Sequence, residues 1–144
     1  MKIHQVSVFA ENKPGHITEP LRLLADAGIN LRALSLADTQ EFGVLRMIVA
    51  APERAVQLLK EGGCAVKLTE VLAVEVPDRP GGLVDVLTAL DGSGINIEYM
   101  YAYPYLNHGK AVLIFRFDDP DAALARLRGA KLRVLSSAEL LKNE

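Results

Sequence analysis

The residues able to do chemistry are few, and most stand alone. His4, His16 and His108 are scattered, and none sits at a metal-ligand spacing with a partner. Cys64 is the single cysteine, so it makes no internal disulfide and completes no zinc pair. There is no Gly-x-Ser-x-Gly elbow and no Gly-rich phosphate loop ending in Lys. The sequence therefore predicts no catalytic residue, no metal site and no cofactor. What it offers instead is a turn, Glu11-Asn12-Lys13-Pro14-Gly15, echoed as Asp78-Arg79-Pro80-Gly81. Pro presets φ for a helix start, and Gly removes a Cβ so that a ligand can approach the backbone. The N–H groups of the helix opened by such a turn suit a small carboxylate. Asn12 both donates and accepts, which suits a zwitterion. The alternative is purely structural: Asn12 and Asp78 bridge their turns and cap the helices.

The elements that hold these turns come in two copies. A shift of 66 positions lays Asn12-Lys13-Pro14-Gly15 on Asp78-Arg79-Pro80-Gly81, Leu21 on Leu87 and Leu24 on Leu90. It also lays Gly28-Ile29-Asn30 on Gly94-Ile95-Asn96, Gly43 on Gly109 and Ile48 on Ile114. In the first copy, Ile3 to Ala10 reads as a strand, and Ile17, Leu21 and Leu24 line one helix face ended by Gly28. Leu31 to Leu36 and Val44 to Ala50 read as strands, Pro52 to Gly62 as a helix, and Cys64 to Leu68 as a fourth strand. The second copy gives strands at Val71 to Val76, Ile95 to Tyr103, Ala111 to Phe117 and Lys131 to Leu135. Its helices start at Pro80-Gly81 and Pro120. Ser136-Ser137-Ala138-Glu139 would cap a short tail helix. Two βαββαβ units follow, residues 1–69 and 70–144, with no Gly/Ser-rich linker to tether them loosely.

Composition excludes several partners. Half of the 144 residues are hydrophobic and 24% are charged, an ordinary globular balance. A net charge of −2 leaves no basic face for a nucleic-acid backbone. Apolar runs are short, so no membrane span is expected, and the N-terminus carries no apolar signal segment. A reducing, cytoplasmic location fits a lone cysteine.

The doubled pattern, Asn12-Lys13-Pro14-Gly15 with Gly28-Ile29-Asn30-Leu31 and Asp78-Arg79-Pro80-Gly81 with Gly94-Ile95-Asn96-Ile97, resembles the ACT domain family over essentially the whole chain. The resemblance implies α+β architecture: two ferredoxin-like units, antiparallel sheets, helices on one face. It implies a non-catalytic regulatory protein that binds a small amino acid between ACT units, close to the Pro-Gly turns. In the serine-responsive module of phosphoglycerate dehydrogenase, the turn Asn and the strand-start Asn hold effector. Those positions are Asn12 and Asn30 here, and Asn96 in the second copy. Asp78 replaces the second turn amide, so the two sites are expected to differ. A His precedes the turn in that module, where this chain has Ala10, which speaks against serine as effector.

The expected ligand-binding set in the first copy is Glu11, Asn12, Pro14, Gly15, His16 and Ile17, with Asn30 and Leu31. In the second copy it is Asp78, Pro80, Gly81, Gly82 and Leu83, with Asn96, Ile97 and Tyr99. Pro20 fits inside the first helix only if that helix starts near Thr18, which lengthens the turn and lets His16 line it. Tyr99, Tyr101, Tyr103 and Tyr105 alternate, which on a strand places them on one face, at a packing seam or beside an effector. The expected partners are a small amino acid, a second copy in a homodimer, and a separate metabolic enzyme. An obligate regulatory subunit, such as that of acetolactate synthase, and a small enzyme on a ferredoxin-like scaffold are the rival readings.

Overall fold

A computed structural model describes residues 2–107 and 109–142. In chain order the elements are β1 (Ile3–Glu11), α1 (Thr18–Asp26), β2 (Ala33–Asp38), β3 (Phe42–Ile48), α2 (Pro52–Glu61) and β4 (Ala65–Val76). They continue with α3 (Gly82–Thr88), β5 (Ile97–Asn107), β6 (Lys110–Phe117), α4 (Pro120–Gly129), β7 (Val134–Leu135) and α5 (Ser137–Leu141). The chain divides into an N-terminal unit, residues 4–69, and a C-terminal unit, residues 70–142 with residues 2–3.

In the N-terminal unit β3 lies between β1 and β2, antiparallel to both. Val6 faces Met47 and Val8 faces Leu45, so these four share one side of the sheet. Leu24 of α1 and Ala55 and Leu59 of α2 close over them, all out of solvent. Each such apolar side chain contributes about 1.5–3 kcal/mol. Thr18 is the first helical residue and Ile17 the N-cap. Pro20 thus stands third, where helix N–H groups have no internal partner, and its missing donor is harmless. At the far end the N–H groups of Gly28, at φ +73°, and Ile29 turn back to Ala25 and Leu24.

In the C-terminal unit Leu72 faces Phe115 and Val74 faces Leu113. Leu72, Val74, Val76, Phe115 and Phe117 meet Val86 of α3, Leu90 of the turn that follows it, and Ala123 and Leu127 of α4. The stretches read as separate strands, Cys64 to Leu68 and Val71 to Val76, are one strand, β4. No Gly or Pro interrupts it, so the twelve residues stay extended, and the described residues form seven strands instead of eight.

Other boundaries move for local reasons. β2 starts at Ala33, because Leu31 packs against the core from the preceding loop. β5 starts at Ile97 because the N–H groups of Ile95 and Asn96 are taken by Ser93 Oγ and Asp118 Oδ1. β7 shrinks to two residues because Lys131, at φ +62°, and Leu132 turn their N–H groups back to Arg128 and Leu127. A bulge at Glu98 moves β5 by one register: Ile97 faces Phe117 and the core, whereas Tyr99 faces Arg116. Tyr99, Tyr101 and Tyr103 then share the sheet face away from α3 and α4. The side chain of Tyr105, and His108, lie outside the described residues. Tyr103 is buried, and its hydroxyl donates to the Leu140 carbonyl of α5 at 3.1 Å. That tail helix starts with the expected capping box, Ser136 with Glu139.

Candidate functional site

The turn between β1 and α1 is exposed from Glu11 to Gly15. Asn12 ties it to the β2–β3 hairpin: its N–H donates to Glu41 O at 2.9 Å and its Nδ2 to Thr39 O at 2.8 Å. No side chain caps α1, so Asn12 bridges the turn and does not cap the helix. Gly15 has φ +81°, and a Cβ there would meet open space. The backbone at this point is therefore reachable by a small molecule. The N–H groups of His16 and Thr18 are turned inward, to Lys13 O and Gly15 O, both at 3.1 Å. Pro20 has none. The start of α1 thus offers fewer donors than the Pro-Gly pattern alone predicts. Ile17 packs into the core, with its neighbours lining a groove of about 530 Å³ along α1 with Leu21, Arg22 and Ala25.

The second turn is built differently. Asp78, Pro80 and Gly81 are exposed, but Gly82 is buried, and a Cβ there would collide with the Pro77 carbonyl. Gly82 is glycine because the turn folds onto itself. Gly81 is the N-cap of α3 at φ +83°. Arg79 pairs with Asp85 in the first turn of α3 at 2.5 Å, so this turn is fastened to its own helix. Leu83 packs into the core. Leu83 and Val84 stand in the first helical turn, where backbone donors have no intrahelical acceptor.

Each unit separates its two motifs. Asn30, exposed, follows α1, whereas Asn12 precedes it. Nine helical residues set the two ends roughly 13 Å apart. Asp78 and Asn96 flank α3 in the same way. Asn96 is fastened to the β6–α4 loop: its N–H bonds Asp118 Oδ1, and Asp118 N–H bonds Asn96 O. A hollow of about 590 Å³ lies there, lined by Gly94, Ile95, Asp118, Asp119 and Arg126. Ile97 faces the core and Tyr99 is half-buried on the opposite face.

Several working residues gave no sequence signal. Asp38, Thr39 and Gly43 form the hairpin end that holds the first turn; only the repeat match of Gly43 marked one of them. Arg54 of α2 donates to Ala27 O, and Arg126 of α4 donates to Ala89 O and Asp91 O. In each unit a second-helix arginine thus holds the carbonyl end of the first helix. Burial, with a smaller push from Glu19, raises the Cys64 thiol above its ordinary value, the reverse of an activated nucleophile. Among the described residues no group of three His, Cys, Asp or Glu converges on a metal position, and no helix is long and apolar enough to cross a membrane.

The profile of a family described as an ACT domain pair matches residues 1–143. Protein BT0572 from Bacteroides thetaiotaomicron is 38% identical, over 99% of this chain and 97% of its own, with a TM-score of 0.89. The regulatory subunit of aspartate kinase from Thermus thermophilus shares the fold at 19% identity and TM-score 0.60, over 90% of this chain and 93% of its own. The corresponding subunit from Thermus flavus does so at 15% identity and TM-score 0.60, over 91% and 94%. No curated protein matches the chain.

Proposed function

Because the chain belongs to the ACT domain pair family, we propose that it is a non-catalytic regulatory protein that binds a small amino acid and acts on a separate metabolic enzyme. The observation that carries this is the repeated backbone. A left-handed glycine stands before each first helix, Gly15 and Gly81, and another after it, Gly28 and Gly94. The N-terminal turn is the one we assign to the effector. Gly15 opens onto free space, and the Asn12 amide keeps an acceptor oxygen for an ammonium while its Nδ2 holds Thr39. Asp78 would place a second negative charge beside an effector carboxylate.

The strand-start asparagines stand a helix length from the turns of their own units, so Asn30 or Asn96 reaches the effector only from another ACT unit. A homodimer supplies such a unit. One feature favours the C-terminal turn as the carboxylate site: Val84 keeps the N–H donor that Pro20, at the same position of the first helical turn, lacks. The shared fold of two kinase regulatory subunits supports a regulatory role, and the raised Cys64 thiol gives no support to an enzyme.

A thermal-shift screen of the full chain against the twenty amino acids tests the reading. An effector at about 100 times its Kd adds roughly 2.7 kcal/mol and a plain rise in Tm. No shift with any of the twenty would contradict it.

A further inference from the structure

We propose that His16 is a proton-operated latch that fastens the Pro14–Gly15 turn to the β2–β3 hairpin. The imidazole is only 13% exposed. Its Nδ1 lies 2.8 Å from the Lys13 carbonyl. That oxygen only accepts, so Nδ1 carries the proton in either charge state. In the neutral ring Nε2 is then a bare lone pair. Among the described residues it is buried without a hydrogen-bond partner, and the charge that faces it, Asp38 Oδ1 at the end of β2, is 3.6 Å away. Two acceptors face each other and nothing bonds. A second proton converts Nε2 into a donor and the contact into a charge-assisted hydrogen bond.

The surroundings fit such a pair. Asp38 faces Gly43 across the hairpin. A Cβ on Gly43 would collide with the Asp38 carboxylate and come within 3.1 Å of Nε2, so glycine leaves the space in which the two side chains meet. The other charged groups on the packed segments are Glu11 and Lys13 of the turn, 3.9 Å apart and mostly in water, and Glu41 of the hairpin. Solvent screens that exposed pair, which leaves Asp38 as the carboxylate that the ring addresses. The backbone and side chain of Asn12 tie the same turn to the same hairpin. Release of the latch therefore loosens the turn without unfolding the unit. If the effector binds at this turn, as proposed above, its affinity is proton-linked through His16.

Hydrogen exchange by NMR on the full chain tests the latch without any effector. The probe is the Asn12 amide, which bonds Glu41 across the same junction, with rates corrected for the intrinsic effect of pH. As pH falls from about 8 to 5, the range in which imidazoles charge, its protection should rise roughly ten-fold, the scale of one charge-assisted hydrogen bond. His16→Asn, which keeps a donor for Lys13, and Asp38→Asn should each abolish the rise. Flat protection in the parent over that range overturns the proposal, as does the same rise in His16→Asn. An amino-acid screen without hits would defeat the effector reading and leave this result standing.

Discussion

The turn at Asn12 and the turn at Asp78 arise from the same short pattern, yet each is held by a different neighbour. Asn12 and His16 reach outward, to Thr39, Glu41 and Asp38 of the adjacent hairpin. The Asp78 turn closes on itself, with Gly82 against Pro77 and Arg79 on Asp85 of its own helix. Pro and Gly fix how the backbone bends. The residues between and beyond them decide what the bend is attached to. A repeated motif is thus evidence of repeated geometry, and its function must be argued copy by copy.

The sharpest way to break this contrast is to add a methyl group to each turn. Gly82→Ala drives a Cβ into the Pro77 carbonyl and should cost about 3 kcal/mol, the upper end of overpacking. Gly15→Ala meets open space and should cost only the left-handed penalty, about 1–2 kcal/mol. Urea denaturation of both variants measures the difference. Equal costs would mean that the second turn does not close as described.

A smaller effect separates the units at their sheet faces. The C-terminal unit carries α5, and Tyr103 donates to Leu140 there. Tyr103→Phe should cost about 1 kcal/mol, the worth of one buried hydrogen bond, read by the same denaturation. A neutral result would show that packing alone holds α5 to Tyr103.

The smallest effect is a pH dependence at the same helix. The Ser136 backbone N–H, with help from Arg133 and the Ser136 side chain, lowers the Glu139 carboxyl to about 2. A carboxyl lowered on folding stabilises the fold above its unfolded value, about 4.3, and loses that contribution as pH falls toward 2. Near-UV or NMR signals of α5 should weaken over that window, and Glu139→Gln should flatten the change. An unaltered acid profile in the variant would place the dependence elsewhere.

Periodicity and punctuation made most of the fold legible. Pro52 and Pro120 opened helices, Gly28 closed one, and Ser136 with Glu139 capped another. Boundaries moved where side chains captured backbone donors, as Ser93 and Asp118 did before β5. Such captures depend on segments distant in sequence. The joining of two strands into β4 needed only the observation that nothing between them breaks extension. The site was less legible. The turns were visible because Gly and Pro report φ directly. Their attachments were not, since Asp38 and Thr39 are 26 and 27 positions from Asn12 and carry no spacing signal. Arg54 and Arg126 play one role from positions that the 66-residue shift does not superpose.

Calorimetric titration of the amino acid that most raises Tm, into the parent, Asn12→Ala and Asp78→Ala proteins, tests the central claim most directly. The account predicts binding to the parent, a loss of roughly ten- to a hundred-fold in Asn12→Ala, and unchanged or tighter binding in Asp78→Ala. Parent-like affinity in Asn12→Ala, with binding abolished in Asp78→Ala, would contradict the assignment of the effector to the N-terminal turn.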